Sequence, residues 1–133
     1  MYLGIKLTDY GSSKEIISLY QNFYKTTNNI EDIIYMAPEI LKGEEFNYKC
    51  NLWSIGIIIY KLFFGNSPFH VDTKEDLINY IDKYENKSLE KTGNEELDDL
   101  IKKLLEKDPS KRLDWEGYLN HPFFIYRNKI NMH

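Results

Sequence analysis

Cysteine is nearly absent from this sequence. Cys50 is the only one in 133 residues, which excludes an internal disulfide and a metal site built on several thiolates. At the head of an apolar run, Cys50 reads as a buried, inert thiol. Arginine is almost as scarce: Arg112 and Arg127 are the only two among 17 basic residues, and the net charge is −4. The lysines are scattered from Lys6 to Lys129, and the densest spot, Lys102-Lys103, reads as a wet helix face, so no electrostatic footprint for nucleic acid stands out. His70, His121 and His133 are too far apart in sequence to suggest a local metal motif. No apolar stretch reaches about 18 residues, so a membrane span is not expected. The start, MYLGIKLTD, shows neither a cationic and apolar leader pattern nor the Met-Gly of a myristoylation signal. The expected compartment is the cytoplasm or nucleus, with no nucleic-acid or membrane partner.

What the chain does have is apolar and aromatic mass, 42% and 15% of the residues. That is enough for one domain with one core. Residues 4 to 8, GIKLT, alternate as a short strand does. From Asp9 to about Asp32 the periodicity is lost, predicting a long exposed loop of the kind that is usually functional. Residues 48 to 64, YKCNLWSIGIIIYKLFF, are apolar on nearly every face, which predicts a helix buried all round at the axis of the core. Asp72 with Glu75 offers a capping box for the next helix, with Leu77, Ile78, Ile81 and Tyr84 turned inward. Thr92 or Asn94 opens another, in which Leu97, Leu100, Ile101, Leu104 and Leu105 fall on one face, and Asp108-Pro109 stops it. Asp114 caps a last short helix before Pro122. The expected class is mainly α: about four helices, one short N-terminal strand and a long loop.

Short motifs punctuate these elements in a fixed order: IKLTDYG, YMAPE at 35 to 39, NLWSIG at 51 to 56, GNSPF at 65 to 69, DPSKRL at 108 to 113, and HPFF at 121 to 124. Each is weak alone. The ordered series resembles the C-terminal lobe of a eukaryotic protein kinase of the Ser/Thr type, and it covers nearly the whole chain, residues 1–133. The resemblance implies that Asp9, in Asp9-Tyr10-Gly11, matches the aspartate that holds Mg²⁺ on the nucleotide phosphates, with Tyr10 in place of the usual Phe. A carboxylate suits that hard cation, and Gly11 allows a backbone angle that other residues resist. Residues 9–39 become an activation segment, with Tyr24, Thr26 and Thr27 as candidate phosphosites. Glu31-Asp32 stands where such kinases usually carry Gly-Thr, which departs from normal peptide docking. Glu39 and Arg112 match a buried carboxylate–guanidinium pair of the scaffold. Trp53 belongs to the same scaffold. Asn51 replaces, without its charge, the aspartate that steadies the catalytic loop.

Phosphoryl transfer also needs a glycine-rich loop, a strand lysine paired with a helix glutamate, and an H-R-D-type catalytic loop. The seven glycines contain no G-x-G, no His is followed by Arg-Asp, and only eight residues precede Asp9. No catalytic residue is therefore expected in the chain as given. The leading expectation is a portion of a Ser/Thr kinase whose complete parent uses Mg²⁺ and ATP, the isolated chain using neither. A stand-alone pseudokinase-like binding module is the alternative, and an unrelated helical protein a distant third. The expected partner is a protein or the kinase's N-terminal half, with self-association through the apolar helix.

Overall fold

The computed structural model describes Thr27 and residues 29–124. The strand pattern at 4 to 8, and Asp9, Tyr10, Gly11, Tyr24 and Thr26, lie outside those residues. Among the described residues six α-helices follow in chain order: α1 Ile30–Ile33, α2 Pro38–Leu41, α3 Lys49–Phe64, α4 Lys74–Lys83, α5 Glu95–Leu104 and α6 Trp115–Leu119. A 3₁₀ turn at Asn86–Ser88 sits between α4 and α5. The described architecture is helical, as in a kinase C-terminal lobe.

Local chemistry accounts for most of the ends. The Asn94 side chain accepts the Leu97 amide at 2.9 Å and so caps α5. Thr92 adds a hydroxyl donated to the Asp98 carboxylate at 2.8 Å, so both residues left open by the sequence take part. Asp114 accepts the Gly117 amide at 2.7 Å to start α6. At the far end of α3, Gly65 adopts φ +86° and donates its amide to the Lys61 carbonyl at 2.8 Å, an αL stop that other residues would pay strain to make. The α4 cap departs from expectation: Thr73, not Asp72, accepts the Asp76 amide, at 3.1 Å. A hydroxyl at the cap position wins here because Thr73 is the extended residue next to the first helical turn.

Two short helices were not expected. The loop predicted to run to about Asp32 ends sooner, because Asn29 accepts the Glu31 amide at 3.1 Å and opens α1. Ile33, fully buried, pins that turn to the core. In α2, Pro38 sits in the first turn, where its fixed φ suits a helix start and its missing N–H costs nothing.

The core gathers on one side of α3. Cys50, Leu52, Trp53, Ile57 and Tyr60 are buried there, in one core with Leu97, Leu100, Ile101 and Leu104 from α5 and Leu105 just after it. The expectation that α3 is buried all round is therefore corrected. Ile55, Ile58 and Ile59 are only partly covered, while Leu62 is 81% and Phe63 53% exposed. The α5 helix packs along one face of α3, α4 packs against α2, and the last turn of α3 is left exposed at Leu62 and Phe63.

Gly56 is where α3 meets α5. A Cβ built there would lie 2.8 Å from Leu105 Cδ2 and 2.9 Å from Leu104 Cβ. Alanine favours a helix interior by about 1 kcal/mol over glycine, but forcing two packed helices apart costs about 1–3 kcal/mol. The clash with a Cβ, which cannot rotate away, decides the sign. Gly56→Ala is expected to lower stability by about 1–2 kcal/mol in urea unfolding, whereas a gain would show that the contact relaxes freely.

Candidate functional site

Arg112 is the centre of the site that the sequence marked out. It follows α5 in the DPSKRL turn, where Asp108 organises the backbone by accepting the Ser110 amide and hydroxyl at 3.0 and 2.8 Å. Those two bonds hold the Asp108 carboxyl below its ordinary value against desolvation, with smaller help from the charges of Lys111 and Arg112. The turn delivers the guanidinium to Glu39 in α2. Nη1 donates to Oε2 at 2.7 Å and Nη2 to Oε1 at 2.9 Å, a bidentate pair. Both side chains are essentially out of water.

The remaining N–H groups are used as well. Nε donates to the Glu106 carbonyl at 2.8 Å, Nη1 to the Lys49 carbonyl at 2.9 Å, and Nη2 to the Lys107 carbonyl at 3.4 Å. A guanidinium has five donors, and all five have acceptors. Its face lies 5.3 Å from the Trp53 ring, which is itself stacked on Phe69 with centroids 6.0 Å apart. One cation thus joins α2, the first turn of α3 and the turn after α5. Lys49 reinforces the same junction from its own side chain, donating to the Pro109 carbonyl at 3.1 Å.

In front of this junction lies the end of the predicted activation segment. Ser54 of α3 donates its hydroxyl to the Tyr35 carbonyl at 2.7 Å. Lys61, two turns further on, reaches the Tyr35 hydroxyl at 3.1 Å and also sits 5.5 Å from the centre of its ring. Neither tie was foreseen from the sequence. Ser54 and Lys61 are seven apart, and so share a helix face. Glu31 and Asp32 occupy the first turn of α1, where acidic side chains complement the helix dipole. Thr27 is half-buried, and its hydroxyl accepts the Asn29 amide at 3.3 Å. Asn51 is buried at the start of α3, its Oδ1 4.0 Å from the Cys50 thiol.

A second polar cluster, also missed, secures the C-terminal HPFF motif. His121 is buried; its Nδ1 accepts the Phe123 amide at 3.1 Å, which leaves Nε2 to carry the proton towards Asp99 Oδ2 at 2.8 Å. Lys103 meets the same oxygen at 2.9 Å. Burial pushes the Asp99 carboxyl up, but the hydrogen bonds from Lys103 and His121, with the charge of Lys103, outweigh it and hold the group below its ordinary value. The signal in the sequence was an Asp99–Lys103 spacing of four on one helix.

Over residues 2–124 the chain matches the protein kinase domain family. It belongs to the serine/threonine protein kinases. It is 42% identical over 100 residues to the serine/threonine-protein kinase ULK4 of Mus musculus, covering 69% of this chain and 8% of that protein. To the protein kinase C delta type of Rattus norvegicus it is 36% identical over 121 residues, 90% of this chain and 17% of that one. A probable inactive serine/threonine-protein kinase of Dictyostelium discoideum is 34% identical over 103 residues, 71% of this chain and 12% of that protein. The kinase chain therefore spans less than a fifth of the length of each of these relatives.

Kinases of this family generally use Mg²⁺ and ATP. Among the described residues no group of three His, Cys, Asp or Glu side chains could hold a metal ion, and Asp9 lies outside them. What the described residues supply is a rigid junction and a face presented by Tyr35, Ser54 and Lys61. Arg112→Lys tests the junction: a lysine keeps the charge but has three donors and no planar fork. With at least two charge-assisted bonds lost, the variant should unfold at lower urea, with a loss of about 2–4 kcal/mol. A change within about 0.5 kcal/mol would mean that charge alone suffices.

Proposed function

We propose that this chain is the C-terminal portion of a Ser/Thr protein kinase whose complete parent transfers the ATP γ-phosphoryl group to protein Ser or Thr, and that the chain alone is catalytically incompetent. The observation that carries this reading is the saturated Arg112–Glu39 junction. It ties the APE element, which closes the activation segment, to the turn after α5, and a segment so anchored is a platform on which a protein substrate can be held. In the complete parent, Asp9 would be the Mg²⁺ ligand. Tyr24, Thr26 and Thr27 are the proposed phosphosites, where added phosphate would order the segment through arginine partners. The proposed compartment is the cytoplasm or nucleus. Among the described residues no helix is long and apolar enough to cross a membrane.

Incompetence of the isolated chain follows from chemistry that these 133 residues do not contain. A metal-binding carboxylate without an H-R-D base, a phosphate-covering glycine loop and the lysine–glutamate pair cannot position a phosphoryl group for in-line transfer. A second reading, a pseudokinase-like protein-binding module, draws on the exposed Leu62 and Phe63 and on the acidic Glu31-Asp32 turn. An in-frame H-R-D-type loop encoded just upstream of Met1 would favour the first reading, and stop codons there the second. For the purified chain, calorimetric titration with Mg·ATP is expected to show no binding in the micromolar range, and radiolabelled ATP no transfer to a generic protein substrate. Micromolar binding or measurable transfer would contradict the proposal.

A further inference from the structure

Ile33 and Met36 are buried, but Tyr35 between them is only half-buried. Its main chain is held on both sides. The Tyr35 carbonyl accepts the Ser54 hydroxyl at 2.7 Å, and the Met36 amide donates to the Ile33 carbonyl at 2.9 Å. With its flanks in the core, the residue keeps its phenol at the rim, where the exposed Lys61 from the last turn of α3 reaches the hydroxyl at 3.1 Å.

That contact leaves two groups unmatched. Among the described residues no carboxylate pairs with the Lys61 ammonium. The Tyr35 hydroxyl accepts from Lys61, and its own proton meets no acceptor among those residues. A neutral phenol answers a full positive charge only with a dipole. A phosphate on the same oxygen would answer it with about 1.5 to 2 negative charges and three strong acceptor oxygens.

We propose that Tyr35 is a phosphorylation site for a separate, tyrosine-directed protein kinase, and that Lys61 receives the phosphate. In the transfer the phenol oxygen bonds to the γ-phosphorus of ATP, and the bond from that phosphorus to the β–γ bridging oxygen breaks. ADP leaves, and the phenol proton passes to the modifying enzyme's base. Glu31 and Asp32 precede Tyr35 by four and three residues, which suits an enzyme whose peptide groove is basic. The product ties the residue next to the APE element to α3 through an ion pair. Nothing in this step depends on phosphoryl transfer by the parent kinase, so the two proposals fail separately.

The full chain is incubated with Mg·ATP and a tyrosine-specific kinase domain that has a basic peptide groove, and is then cut with trypsin. The fragment 26 to 42, TTNNIEDIIYMAPEILK, contains one tyrosine, so phosphotyrosine found in it is on Tyr35. That fragment should be modified. Phosphorus NMR of the intact modified chain then follows the second ionisation of this phosphate, its signal being the one that Tyr35→Phe removes. Lys61 is exposed, so Lys61→Met should leave the fold intact. A cation at hydrogen-bond distance favours the dianion, so the second proton should leave about half a pH unit lower in the parent than in Lys61→Met. Glu31 and Asp32 are present in both chains, and the difference isolates Lys61. An unmodified fragment 26 to 42 overturns the proposal, as does the same second ionisation in the parent and in Lys61→Met.

Discussion

A guanidinium with no water left around it is the constraint on which the rest of this structure depends. Arg112 is 2% exposed, and a charge taken that far out of solvent is costly unless every donor is met. Meeting them takes a carboxylate from α2, a carbonyl from α3 and two carbonyls from the segment after α5. Three stretches of chain must therefore arrive together. The position of the APE turn, the pitch of α3 and the path of the DPSKRL segment become one problem with one solution. Trp53 closes the remaining face, and its stack on Phe69 carries the junction into the GNSPF turn.

That junction was legible in the sequence, though not from periodicity. Glu39 and Arg112 are 73 residues apart, and only the ordered motifs of a kinase connect them. Other parts were readable from local chemistry. The one-faced pattern of α5 places Leu97, Leu100, Ile101, Leu104 and Leu105 in the core, and Asp114 caps α6 as its side chain suggests. Short helices were not readable. With four residues each, α1 and α2 are too brief for a period, and their positions follow from tertiary contacts of Ile33, Ile40 and Leu41. The burial of α3 was over-read for a related reason: composition says that Leu62 and Phe63 are apolar, but only the reach of neighbouring helices decides whether they are covered.

The polar ties that position Tyr35 and His121 were invisible for another reason. Ser54, Lys61 and Asp99 are ordinary residue types for a helix surface, and each acquires its partner from a segment at least 19 residues away. Such bonds come from the fold and do not create it. They matter because they hold Tyr35 against α3 and the buried His121 against α5.

The most direct test of the account is a double-mutant cycle on the buried pair, with stability measured by urea unfolding of the full chain. Glu39→Ala alone should cost about 3–5 kcal/mol, because it strands the guanidinium in a dry site. Arg112→Ala on that background should cost much less than on the parent, with a coupling of about 2 kcal/mol or more between the two positions. Costs that simply add would mean that the two side chains do not act as a pair. The junction proposed to organise the kinase fold would then not be what holds α2, α3 and the C-terminal turn together.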